Sequence, residues 1–144
     1  MTNRVRVKIE IPKGSRVKYE INKETGAIEV NRILNFELPY NYGYLPNTLW
    51  EDGDPLDAIV LGHFSLHPGV EADVLPIAVI HMRDNGESDW KLICSVTPIK
   101  FQDYHDLVVS FLKMYKPGVE IEGYTEESEA IKEVVERAYH AYGT

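Results

Sequence analysis

Residues 52–61 have the sequence DGDPLDAIVL, in which three aspartates within six residues lead directly into an apolar strand. Extended backbone would project Asp52 and Asp54 from one face of the chain. The rigid Pro55 and the turn after it would bring Asp57 beside them. Carboxylates this close repel each other unless a cation lies between them, and hard cations such as Mg²⁺ prefer carboxylate oxygens. The stretch therefore indicates a divalent-metal site, with an ordinary acidic turn as the alternative.

The composition fits one compact, acidic domain. With 144 residues, 44% of them hydrophobic, and no linker-like tract, we expect a single domain over residues 1–144. The formal net charge of −8 argues against a non-specific nucleic-acid binder, whose affinity comes from Lys and Arg. The lone cysteine, Cys94, lies among apolar residues that predict a buried strand, and it excludes an internal disulfide framework. No apolar stretch reaches about 18 residues and no leader is evident, so we expect a cytoplasmic protein without a membrane partner.

Alternating hydrophobicity predicts strands near the start of the chain. In residues 4–12 and 16–22 apolar and polar side chains alternate strictly, as in half-buried strands. Turn-forming residues 22–26 then precede a strand over residues 27–33, which predicts a hairpin. Arg32 falls on the apolar face of this last strand, where a guanidinium is costly unless it meets an anion or a carboxylate.

Three further strands and two helices are predicted after this hairpin. The strands are predicted at residues 58–64, 74–82 and 89–96, and the helices at about residues 103–116 and 126–142. Apolar residues at three- and four-residue spacings make both helices amphipathic, and Thr125 is the expected N-cap of the second. Many short strands before two late helices indicate an α+β domain built on a small barrel.

A second group of polar residues lies at a predicted hairpin tip. Asp89 and Lys91 share a strand face, and Asp84 lies across a turn from them. An ordinary hairpin tip is the alternative to a second part of the metal site. His63 and His67 are four residues apart, but the Pro-Gly pair that follows places them in a loop and not on a metal-binding helix.

Taken together, these segments resemble the soluble family I inorganic pyrophosphatases over nearly the whole chain. The matching motifs are KIEIP at residues 8–12, VKYEI at 17–21, VNR at 30–32, NYGY at 41–44, the D-x-D-P-x-D cluster at 52–57, then Asp84, Asp89, Lys91 and the pair Tyr115-Lys116. The resemblance implies a closed five-stranded OB-like β-barrel with additional short strands and the two helices. It places the active site in the mouth of the barrel.

The resemblance also implies a reaction and a role for each site residue. The reaction is Mg²⁺-dependent hydrolysis of inorganic pyrophosphate to two phosphates by metal-activated water, with several Mg²⁺ per site and Mn²⁺ as a substitute. The implied metal ligands are Asp52, Asp57, Asp84, Asp89 and Glu10. The implied substrate-binding residues are Lys18, Arg32, Tyr42, Lys91, Tyr115 and Lys116. Asp54 is the implied general base, and Glu20 and Tyr42 are further catalytic residues, with Glu10 and Glu20 supporting the water and orienting the cations.

The chain departs from the family pattern in three places. Leu38 stands where relatives have a tyrosine, and Tyr40 is either a partial replacement or a packing residue. The segments 32–39 and 96–103 are shorter than is usual. These changes leave two alternatives open, a hydrolase of another small phosphoanhydride and a catalytically degraded domain that only binds pyrophosphate.

The resemblance further implies a homo-oligomer, with a hexamer favoured. An OB-like module that binds nucleic acid is a third alternative, but the basic residues are interleaved with acids and the chain as a whole is acidic. We therefore expect pyrophosphate and phosphate as ligands, and no nucleic-acid partner.

Overall fold

A computed structural model describes residues 4–22 and 24–143, within which nine β-strands and two α-helices are formed. The strands are β1 Val5–Ile11, β2 Val17–Ile21, β3 Ile28–Ile33, β4 Asn41–Tyr44, β5 Asp57–Leu61, β6 Glu71–Asp84, β7 Glu87–Ser88, β8 Lys91–Ser95 and β9 Glu120–Thr125. The helices are α1 His105–Tyr115, preceded by a 3₁₀ turn at Phe101–Asp103, and α2 Ser128–Ala141.

Five strands close into a ring in the order β1-β4-β5-β8-β6, because β6 also pairs with β1. All neighbours in the ring are antiparallel except β5 and β8, which are parallel. β6 is the longest strand, and it also pairs with β7 and β9 beyond the ring. The strands β2 and β3 form a separate hairpin. The predicted α+β class is confirmed, and the ring is consistent with an OB-like barrel.

The two helices cover two separate apolar clusters. On one side Val108, Phe111 and Leu112 of α1 pack with strand residues such as Ile59 and Ile80. On the other side Ile131, Val135 and Ala138 of α2 pack with residues such as Val7, Val60 and Cys94. Each fully buried side chain of this size contributes about 1.5–3 kcal/mol by its removal from water. Cys94 is buried in β8, as its apolar neighbours predicted.

Three strands, β4, β7 and β9, have no counterpart among the strands predicted from the hydrophobic pattern, and β6 begins three residues before its predicted start at Val74. Thr125 is the last residue of β9, so its prediction as an N-cap is wrong. The residue that precedes α2 is Glu127, whose side chain makes no capping hydrogen bond.

The apolar face to which the sequence assigns Arg32 is not buried in the structure. Every residue of β3 is exposed, including Ile28, Val30 and Ile33. A bulge between Lys18 and Tyr19 shifts the register of the hairpin, so that Lys18 faces Arg32 across the two strands. Arg32 therefore remains in contact with water.

No helix among residues 4–22 and 24–143 is long and apolar enough to cross a membrane.

Candidate active site

The acidic segment before β5 is a tight turn and not the extended stretch that we expected. The backbone N–H of Gly53 donates to the carbonyl of Trp50 at 3.0 Å, and that of Trp50 donates to the carbonyl of Asp54 at 2.8 Å. Gly53 has a φ of 86°, which glycine adopts without strain. Asp52 Oδ1 accepts a hydrogen bond from the N–H of Asp54 at 3.1 Å. The turn brings Asp52 and Asp54 to the rim of one depression.

Asp57 is the first residue of β5, and the barrel fixes its position. The parallel pairing of β5 and β8 places it opposite Lys91. Just before it, the buried Leu56 donates its N–H to the hydroxyl of Thr48 at 3.0 Å. The hydroxyl of Tyr42, on β4, donates to Asp57 Oδ2 at 3.0 Å. Asp57 is thus held from both neighbouring strands at the mouth of the ring.

Lys91 lies at the base of the acidic cluster. Its side chain is 0% exposed, and its Nζ contacts Asp57 Oδ2 at 2.5 Å and Asp89 Oδ1 at 2.8 Å. Burial opposes the charge on the ammonium, but Tyr42, Asp57 and Asp89 together raise the pKa of Lys91 well above its usual value. The pKa of Tyr42 is also raised well above its usual range, first by burial and then by Asp57.

Lys116, which follows the last residue of α1, links the segment that bears Asp84 and Asp89 to this cluster. Its Nζ lies 2.8 Å from Asp89 Oδ2 and 3.9 Å from Asp84 Oδ2. Burial alone would raise the pKa of Asp89, but Lys91 and Lys116 outweigh burial and hold this pKa below its usual value. Asp89 is therefore a carboxylate that lies between two ammonium groups.

Two adjoining depressions open at this end of the barrel. The larger, of about 320 Å³, is lined by Glu10, Lys18, Glu20, Ile21, Tyr42, Tyr44, Asp54, Pro55, Asp57, Tyr115 and Lys116. The smaller, of about 210 Å³, is lined by Asp52, Asp54, Asp84, Asn85, Glu87, Asp89 and Lys116. Asp54 and Lys116 line both depressions. The site thus has one surface dominated by acids and another in which lysines and tyrosines face acids.

Two carboxyl groups of the site resist ionisation. Burial, followed by the negative charge of Asp57, raises the pKa of Glu10 to about 7. Burial, followed by contact with Asp89, raises the pKa of Asp52 to about 6. Both shifts show negative charge crowded in a partly desolvated space, which a bound cation would relieve.

The donor set fits a hard divalent cation, since oxygens of Asp and Glu are the ligands that Mg²⁺ prefers. Within residues 4–22 and 24–143, however, no three His, Cys, Asp or Glu side chains converge closely enough to hold a metal ion. Asp57 and Asp89 are instead closely paired with lysines, and Asp84 lies 3.9 Å from the ammonium of Lys116.

The two depressions bring together all but two of the residues selected from the sequence. Lys91 is buried beneath them, in contact with two of the acids. Arg32 is exposed and lines neither depression, but it lies close enough to Tyr115 to offset part of the rise in pKa that burial causes there.

The departure at Leu38 concerns the apolar core and not the lining of the site. Leu38 is buried in the apolar cluster under α1, and Tyr40 packs edge-on against Phe111 with ring centroids 6.2 Å apart. Tyr40 is therefore a packing residue, and neither residue lines a depression. Tyr44, which was not selected from the sequence as a site residue, lines the larger depression.

Carboxylates beside lysines and tyrosine hydroxyls suit chemistry on phosphates with divalent cations, because the acids can hold the cations and the other groups can stabilise phosphate charge. Residues 7–142 match the model of the inorganic pyrophosphatase family. A curated relative, the inorganic pyrophosphatase of Saccharolobus solfataricus, is 39% identical over an alignment that covers 92% of this chain and 91% of the relative. The chain belongs to the inorganic pyrophosphatase family, of the family I type that its motifs indicated.

Solved structures of the family agree with this assignment. An inorganic pyrophosphatase from Neisseria gonorrhoeae matches with a TM-score of 0.82 and 28% identity, covering 98% of this chain and 92% of that one. A truncated vacuolar soluble pyrophosphatase from Trypanosoma cruzi, in complex with PPi, matches with a TM-score of 0.80 and 25% identity, covering 99% of this chain and 70% of that one.

Proposed function

We propose that the protein hydrolyses inorganic pyrophosphate to two phosphates at the mouth of the barrel, using divalent cations held by its carboxylates. Membership of the family supports this reaction, and so does the T. cruzi relative that binds PPi. The observation on which the proposal mainly depends is that Asp54 and Lys116 line both depressions. A small anion at this junction would lie between an acidic surface suited to cations and a surface with cationic and hydroxyl groups.

We assign the cation ligands to the acids around the smaller depression and the adjoining part of the larger one. They are Asp52, Asp57, Asp84, Asp89 and Glu10, and they suit several Mg²⁺ ions, with Mn²⁺ as a substitute. Bound cations would neutralise phosphate charge and lower the pKa of a water molecule at the site. The raised pKa values of Glu10 and Asp52 support this assignment, because both carboxyls gain from a nearby positive charge.

Asp54 is the general base in this proposal. Asp57 and Asp89 are both paired with lysines, whereas the carboxylate of Asp54 makes no hydrogen bond or ion pair within the part of the chain that the structure describes. Asp54 is also exposed and lies where the two depressions meet. Its carboxylate is therefore able to accept a proton from water that approaches the substrate.

Phosphate binding is assigned to the cationic and hydroxyl groups of the larger depression. Lys18, Tyr42, Tyr115 and Lys116 line it, and Glu20 faces the same space. Arg32 lies beside Tyr115 and would reach a bound phosphate only from the rim, where its guanidinium could form two parallel hydrogen bonds. Lys91, which is fully buried, would act on the substrate mainly by holding Asp57 and Asp89.

We further propose that residues 1–144 act as one domain in a cytoplasmic homo-oligomer, with a hexamer favoured. Exposed apolar side chains on α1, Leu107 and Met114, offer a surface for contacts between subunits. The buried, unpaired Cys94 is compatible with a reducing compartment.

Replacing the proposed base tests the assignment of roles. The D54N variant keeps the volume of the side chain but cannot accept a proton, so we expect a loss of phosphate release of about 100-fold or more at saturating Mg²⁺. D103N changes an exposed aspartate outside both depressions and serves as the matched control, with activity like that of the wild type. Wild-type activity in D54N would contradict the assignment of the base.

A further inference from the structure

Trp50 lies between the two segments that bear the acids of the smaller depression. Its side chain is buried, and its indole Nε1 donates a hydrogen bond to Ser88 Oγ at 3.1 Å. Trp50 stands two residues before Asp52 in the acidic turn, and Ser88 immediately precedes Asp89. One hydrogen bond between residues 38 positions apart thus connects the two acidic segments directly.

The ring of Trp50 is held by contacts from two other elements. Trp90 packs against it with ring centroids 5.3 Å apart, and Trp90 itself stacks on His81 of β6 at 4.1 Å. The guanidinium of Arg137, on α2, lies 5.0 Å from the ring centroid and pairs with Glu51. These contacts restrict the ring to the orientation in which its N–H points at Ser88.

The backbone of Trp50 also fixes the acidic turn. Its carbonyl accepts from Gly53 and its N–H donates to the carbonyl of Asp54. On the other segment, the N–H of Asp89 donates to the carbonyl of Met82 at 2.9 Å. The backbone around each acid is therefore held within its own segment, so the spacing of the two backbones depends on contacts between the segments, such as the bond from Trp50 to Ser88.

We propose that Trp50 is a positioning residue, whose indole hydrogen bond to Ser88 sets the spacing of Asp52 and Asp89 and thereby the affinity of the smaller depression for a divalent cation. Residues that do not bind the metal themselves but fix the orientation of its ligands contribute strongly to metal affinity. Neither Trp50 nor Ser88 lines either depression, so both act only through the acids beside them. This inference rests on the metal site of the proposed function.

The test is a calorimetric titration of Mn²⁺ into the protein of residues 1–144 without pyrophosphate. W50F keeps an aromatic ring but loses the donor, and S88A loses the acceptor with little change in volume. We expect each variant to bind Mn²⁺ about 10-fold more weakly than the wild type. At saturating Mg²⁺ we expect their kcat to stay within about twofold of the wild type, because the acids that hold the cation remain present.

A double variant and a stability control distinguish positioning from general damage. If the hydrogen bond is the cause, W50F/S88A binds Mn²⁺ about as weakly as either single variant, since both remove the same interaction. V5A removes buried volume from β1 in the apolar cluster that α2 covers, and Val5 lines neither depression, so it should lower stability while leaving the Mn²⁺ affinity unchanged.

The outcomes separate this inference from the proposed function. A wild-type protein that does not bind Mn²⁺ contradicts the metal site itself. If the wild type binds Mn²⁺ and S88A binds it with the same affinity, the role of Trp50 is refuted and the metal site is not. The role of Trp50 is also refuted if the loss of affinity in the double variant equals the product of the losses in the two single variants. If W50F does not fold, S88A decides, because weaker Mn²⁺ binding by S88A supports the positioning role and unchanged binding refutes it.

Discussion

Replacing Lys91 by methionine should destabilise the protein strongly when no divalent cation is present. The side chain of Lys91 is 0% exposed, and its ammonium contacts both Asp57 and Asp89. Methionine has a similar length but removes the only charge that lies between these two carboxylates at the base of the cluster, among the residues that the structure describes. Removing one partner of a buried ion pair costs about 3–5 kcal/mol.

Two features of the site place the expected loss near the lower end of that range. The side chain of Asp57 is 21% exposed and keeps its hydrogen bond from Tyr42. Asp89 keeps its pairing with Lys116. We therefore expect K91M to lose about 3 kcal/mol of unfolding free energy in the presence of chelator. With saturating Mg²⁺ the loss should shrink, because a cation that binds only the folded state stabilises it and neutralises the same acids.

Urea denaturation followed by tryptophan fluorescence measures this difference, at one fixed protein concentration for all variants. For a slope of about 2 kcal/mol per molar urea, a loss of 3 kcal/mol lowers the midpoint by about 1.5 M. The control is K113M, which removes an exposed lysine from α1 and should change stability by about 0.5 kcal/mol or less. A loss below about 1 kcal/mol in K91M would refute the argument from the buried ion pair.

Two further predictions concern the frame around the site. A Cβ at Gly43 would lie 1.9 Å from the backbone oxygen of Lys8 on the paired strand β1. G43A should therefore lose about 3 kcal/mol or more of unfolding free energy in the same urea assay. A near-neutral result would contradict the close approach of β1 and β4. Burial lowers the pKa of His81 below its ordinary value of 6.5, with Glu122 opposing part of the shift. Below about pH 6.5 the unfolded chain therefore takes up a proton that the folded chain resists, and stability should fall as the pH drops. The H81Q variant should lose part of this pH dependence. Thermal unfolding from pH 7.5 to 5 measures the effect, with H63Q as the control. If the stability of H81Q depends on pH as strongly as that of the wild type, the role of His81 is contradicted.

The strands and helices that could be predicted from the sequence are those with a clear hydrophobic period or, as in β5 and β8, a continuous apolar run. β1 and β2 alternate strictly, and both helices have apolar residues at three- and four-residue spacings. β4 has only four residues, with a glycine among them, so no period can be recognised. β9 alternates weakly because it lies at the outer edge of β6 and only every second residue is half-buried. Its last residue, Thr125, therefore resembled a helix cap.

The site was predictable in its residue types, but its arrangement depends on the pairing of distant strands. The family motifs identified most of the acids, lysines and tyrosines that line the two depressions, but not Tyr44 or Glu87. The burial of Lys91 follows from the parallel pairing of β5 with β8, which places it opposite Asp57 and which no local pattern indicates. The hydrogen bond from Trp50 to Ser88 likewise joins segments with no motif in common.

Phosphate release from pyrophosphate by the purified wild-type protein is the most direct test of the proposed function. We predict rapid release in the presence of Mg²⁺, none in the presence of chelator, and much slower release from ATP at equal concentration. A folded protein that binds Mn²⁺ but releases no phosphate would contradict the hydrolase and favour a domain that only binds pyrophosphate. Faster release from ATP than from pyrophosphate would instead identify another phosphoanhydride as the substrate.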